Sequence, residues 1–133
     1  MSIEKIIGDA LVAGVIGSFS ALIYFFILSE KKTETELMRK VKENDINACI
    51  KLLNEGVAID AVDEKGATAL IYAVLNTDIN LVKLLVNKGA NIELATKKGV
   101  SAESIAKSNN LIEIIDILNE KKKNKKSFWH SLF

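Results

Sequence analysis

The chain has 133 residues and a formal net charge of +1, enough for one small domain and without the strongly basic balance of a general nucleic-acid binder. Its single cysteine, Cys49, excludes an intramolecular disulfide and suits a reducing compartment. The absence of proline points to a mainly helical protein. Frequent lysine, isoleucine and asparagine, with Arg39 as the only arginine, hint at an AT-rich, bacterial genome.

After a short N-terminal segment (residues 1–5), residues 6–28 read as a transmembrane helix. Ala10 to Leu28 is a run of 19 residues without a charge, and crossing the hydrocarbon core takes roughly 20 apolar residues. A core helix of a soluble domain would carry a polar stripe, and only Ser18 and Ser20 break the run. A cleaved signal peptide is the rival reading, with Ser18 to Ala21 as its cleavage region. Seven further apolar residues, Leu22 to Leu28, follow without a break and favour an uncleaved span. Lys5 alone precedes the span, whereas Lys31, Lys32, Arg39, Lys40 and Lys42 follow it. The expected topology is single-pass, with the N-terminus outside and the rest cytoplasmic, at the inner membrane if the source is bacterial. Asp9 falls at the outer interface, where its charge costs little. Small residues recur at four-residue spacing in two stripes that include Gly14, Gly17, Ser18 and Ala21. Such stripes can pair helices in lipid and would give a homodimer; the ordinary abundance of small residues in membrane helices is the favoured reading.

A linker over 29–35, at most roughly 25 Å long, leads into a region with a period of 33 residues. Gly56 and Gly89 are 33 apart, as are Gly66 and Gly99. Leu81 to Leu85 aligns with Ile114 to Leu118. The clearest unit spans 63–95. Thr68 is placed to cap a helix, Leu70, Ala73 and Val74 recur on one apolar face, and Gly89 follows a second helix where a left-handed residue ends it. Thr77, Asp78 and Asn80 form the polar break between the two helices.

This unit resembles an ankyrin repeat. Asp63, Gly66, Thr68, Leu70 and Ala73 match the first part of that family's pattern. Leu81, Val82, Leu84 and Leu85 match the second-helix core, and Gly89, Ala90, Asn91 and Ile92 the closing turn. Ala69 stands where the family has proline and Ile71 where it has histidine, which is expected to loosen the repeat. The flanking units, 33–62 and 96–120, are degenerate, as end repeats facing water usually are. The fold class expected is therefore all-α: an ankyrin-repeat solenoid of about three repeats over 33–120, helix pairs joined by short β-turns, preceded by one transmembrane helix.

The resemblance implies a protein-binding scaffold; with no glycine-rich phosphate loop, no Cys/His cluster at metal spacing and a near-balanced charge, no cofactor, metal or nucleic acid is expected. It places binding on the hairpin tips, Glu64, Lys65 and Ala67 in the middle repeat and Lys97, Lys98 and Val100 in the third. It also places it on the concave face, with Tyr72, Leu75, Asn76, Ser108 and Asn109. For a charged tip residue ordinary solvation is the favoured alternative; Leu75 beside Tyr72 is the more informative candidate anchor. Catalysis is not expected. The one histidine, His130, lies in the tail, and Cys49 falls in register with Val82 and Ile115 as a core residue.

The tail, 121–133, carries Lys121, Lys122, Lys123, Lys125 and Lys126 ahead of Phe128 and Trp129. Contact with an anionic membrane surface and a disordered, solubilising tail weigh equally, and a short peptide motif is a third reading. The function expected is a membrane-tethered adaptor or inhibitor, with a bacterial immunity or accessory protein as one concrete form. The alternative is a structural single-pass protein that self-associates through its membrane helix.

Overall fold

Helix starts recur at the spacing read from the sequence. Thr35, Thr68 and Ser101 each accept the backbone N–H three residues on, from Met38 at 3.2 Å, Ile71 at 3.3 Å and Ser104 at 3.2 Å. Each side-chain oxygen satisfies one donor that a helix start leaves without a partner. These caps begin the first helices of three repeats: α1 (Glu36–Lys42), α3 (Ala69–Leu75) and α5 (Ala102–Ser108). Asp45 and Asp78 cap the second helices in the same way, accepting from Ala48 and Leu81 at 3.0 Å each. They open α2 (Ile46–Asn54) and α4 (Ile79–Asn87). The third repeat has Leu111 at this position and no side-chain cap, yet α6 (Ile112–Ser131) is the longest helix described.

This is a computed structural model, and it describes residues 34–132. The expected membrane span over 6–28, its pairing residues Gly14, Gly17, Ser18 and Ala21, and linker residues 29–33 lie outside the described residues. Among the described residues, no helix is long and apolar enough to cross a membrane.

Within each repeat, one residue turns the chain from the first helix into the second with a left-handed backbone: Asn44 (φ 55°), Thr77 (φ 56°) and Asn110 (φ 53°). The helices then stack in two layers, α1–α3–α5 and α2–α4–α6, and each pair also packs within its own repeat. The core lies between the layers. Val41, Cys49, Ala73, Val74, Leu81, Val82, Leu85 and Ala106 are all fully buried, and burying one such leucine or valine stabilises by roughly 1.5–3 kcal/mol. Thr68 is the only buried polar residue among those described, and its cap bond satisfies it.

Between repeats, Asn76 donates to the Val41 carbonyl at 2.9 Å and to Asn44 at 3.1 Å. On the other layer, Lys88 reaches Asn54 at 3.0 Å and Lys83 reaches Glu113 at 3.2 Å. The third repeat does not close at 120. Its second helix runs through the lysine tract to Ser131 without a break.

Candidate functional site

Asp63 organises the tip of the middle repeat. Its Oδ1 accepts the backbone N–H of Lys65 at 2.9 Å and of Ala67 at 3.0 Å, and its Oδ2 accepts the Tyr72 hydroxyl. Burial alone would raise the Asp63 carboxyl; the Tyr72 hydroxyl and the two N–H donors outweigh it and hold the group below its ordinary value. The same bond pushes the Tyr72 phenol up. Lys42 from α1 lies over the Tyr72 ring, with Nζ 4.1 Å from its centre. Glu34 grips that ammonium at 2.7 Å and raises its pKa. Tyr72 is therefore fixed from two sides.

The next hairpin repeats the geometry with threonine in place of aspartate. Val100 N–H donates to Thr96 Oγ1 at 3.1 Å, and Thr96 N–H donates to the Val100 carbonyl at 2.9 Å. The tips are joined directly, because Lys97 N–H donates to the Lys65 carbonyl at 2.8 Å.

Between these tips and the first-helix layer runs a groove of about 510 Å³. Glu64, Lys65, Ala67, Tyr72, Leu75, Lys97, Lys98 and Val100 line it together with Ile71, Thr96 and Ile105. The structure thus brings together eight residues named from the sequence. Ala67 is buried, whereas Leu75 and Val100 are 53% and 39% exposed. Asn76, Ser108 and Asn109 lie outside the groove lining. Asn76 ties the first two repeats together, Ser108 Oγ donates to the Ser104 carbonyl at 2.9 Å, and Asn109 ends α5.

Sequence reasoning placed none of Ile71, Thr96 and Ile105 on the binding surface. Ile71 and Ile105 are both buried, yet they form part of the groove wall. The one signal for Ile71 was its position, where an apolar residue replaces the family's histidine. Three lysines against one glutamate leave the groove basic at its rim and apolar on its floor. This arrangement can hold a protein segment by an apolar side chain flanked by acidic ones. Among the described residues no group of three or more His, Cys, Asp or Glu side chains is placed to hold a metal ion.

Two stacked helix layers with hairpin tips on one edge define a helical-repeat protein, the class whose members use extended surfaces for binding. The chain belongs to the ankyrin-repeat family: the family model for ankyrin repeats (3 copies) matches residues 37–127. Domains of this family are typically protein-interaction modules rather than catalysts. Among solved structures, the chain is similar to the ankyrin repeat domain of Bcl-3, a member of the IkappaB family, at 32% identity and a TM-score of 0.65, over 68% of this chain and 40% of that one. It is similar to an ankyrin repeat domain from Acinetobacter baumannii AYE at 27% identity and a TM-score of 0.65, over 68% and 48% of the two chains. It is also similar to the ankyrin repeat protein EF0377 at 30% identity and a TM-score of 0.60, over 62% and 45%. The chain therefore spans less than half the length of each of these. No curated protein matches it by sequence.

Proposed function

We propose that this protein is a membrane-tethered adaptor or inhibitor that holds a protein partner in the groove between its second and third hairpin tips. The observation that carries the reading is the groove itself. Leu75 and Val100 offer exposed apolar surface beside Tyr72, whose orientation is fixed, and Lys65, Lys97 and Lys98 surround it. Apolar anchors within a polar rim are what protein interfaces use. The partner segment is accordingly apolar at its centre and acidic at its edges.

The tether is residues 6–28, with the repeats on the cytoplasmic side, as the lysine asymmetry around that stretch supports. A tether raises the local concentration of the binding domain at the membrane. In a bacterium, the role that fits is an immunity or accessory protein acting on a membrane-active effector.

Co-purification of the full chain from detergent-solubilised membranes, followed by mass spectrometry, would identify the partner. Leu75→Glu and Val100→Glu are at exposed positions and leave the fold intact, so both are expected to release it. A partner retained by both variants would place the contact elsewhere.

A further inference from the structure

We propose that the C-terminal half of α6 docks on an anionic lipid bilayer, with Phe128, Trp129 and Leu132 entering the interface and the lysines of the preceding turns meeting the headgroups. The sequence left the tail open between lipid contact and disorder; the helix is what the structure adds. α6 buries Ile114 and Leu118 in its first turns, and at helical spacing the same face continues through Lys121 and Lys125 to Phe128 and Leu132. Past the last repeat that face has no cover among the described residues. Phe128, Trp129 and Leu132 are 60%, 53% and 57% exposed, and Phe128 meets Trp129 edge to face at 5.9 Å.

Two lysines fasten this helix to the repeats, one to the third and one to the closing turn of the middle repeat. Lys122 pairs with Glu103, and Lys125 reaches Glu93 at 3.3 Å. Lys121, Lys123 and Lys126 have no ion pair among the described residues, and no acidic residue follows Glu120 in the chain. At 1.5 Å of rise per residue, Lys126 lies about 4.5 Å and Lys121 about 12 Å back along the axis from Trp129. That offset suits ammonium groups among headgroups while the aromatic end rests at the interface. The three lysines also point in different directions around the helix. Such spread charge complements a diffuse anionic plane rather than a shaped pocket. A specific protein interface takes roughly 20–30 residues a side, and this tip offers far fewer. Each lysine near an anionic surface tightens binding roughly fivefold.

Trp129 is the only tryptophan, so its emission reports the tip alone, whether or not residues 6–28 cross the bilayer. The full chain is combined with vesicles of phosphatidylcholine, or of phosphatidylcholine and phosphatidylglycerol, carrying brominated acyl chains. The expected result is blue-shifted, quenched Trp129 emission with the anionic vesicles, little change with phosphatidylcholine alone, and reversal by high salt. Combined Lys121→Gln, Lys123→Gln and Lys126→Gln should abolish the quenching, as should Leu132→Asp on its own. Unquenched emission on anionic vesicles, or equal quenching on both kinds, overturns the proposal. A blue shift that grows with protein concentration without vesicles also overturns it and gives the tip to a second copy of the chain.

Discussion

The Lys97 amide and the Lys65 carbonyl, bonded at 2.8 Å, hold two successive hairpin tips together and so form the wall of the groove. The contact depends on Gly66. Its φ is +77°, and a Cβ there would sit 3.0 Å from the Lys97 backbone nitrogen. Gly66→Ala must bear left-handed strain and also push the tips apart. A loss on the order of 1–3 kcal/mol is expected, together with weaker partner binding. Chemical denaturation of the folded chain checks the first effect and a binding titration the second. An alanine variant with unchanged stability would mean that the tips separate freely.

Thr77 is the strained member of a set of three. It holds the left-handed position that Asn44 and Asn110 hold in the neighbouring repeats. A β-branched residue tolerates that region poorly, whereas asparagine visits it readily. Thr77 is exposed, so its replacement disturbs no packing. Thr77→Asn is therefore expected to stabilise by up to about 1 kcal/mol, read as a higher denaturant midpoint at unchanged slope.

What the sequence could reveal followed from where its information sits. Thr68 and Gly89 act through neighbours a few residues away and recur at 33 residues, so caps, turns and the helix pairs of the middle repeat were legible. The tips were legible too, since Glu64, Lys65, Lys97 and Lys98 hold fixed places in the repeat. Asn76 was not. It reads as a surface residue, and its partners, Val41 and Asn44, lie 35 and 32 positions back. The tail failed for a related reason. Lysine is a good helix former, but what steadies this helix is Glu103 and Glu93, 19 and 32 residues before their lysines. Ile71 and Ile105 mislead in the opposite way, because a core residue and a groove floor share one hydrophobic signal.

Glu103 makes the third repeat sensitive to acid. Its hydrogen bonds to Lys107 and Lys122 lower the carboxyl from 4.5 to about 2. A carboxylate with a depressed folded pKa contributes stability that is present above its unfolded value and lost as pH falls through the folded one. The difference in stability between the native chain and Glu103→Gln should be constant near neutrality and shrink from about pH 4.5 toward about pH 2. The pairs are part-exposed, so the plateau should be on the order of 1 kcal/mol or less. Melts across that range, with and without high salt, check it. A difference that grew on acidification would have the wrong sign.

Cys49 provides a probe of the first repeat. It is fully buried, and burial pushes its thiol up to about 11. At neutral pH it is protonated and out of reach, and the thiolate is the reactive form. A disulfide reagent should therefore label it only as fast as the first repeat opens, with one equivalent taken up at once in denaturant. Destabilising the inter-repeat tie with Asn76→Ala should raise the native labelling rate, because it removes the hydrogen bonds that join the end of α1 and the following turn to the second repeat. Leu75→Glu, at an exposed site on the groove, should leave that rate unchanged. Equal acceleration by both variants would show that the stack opens as a whole rather than from its first repeat.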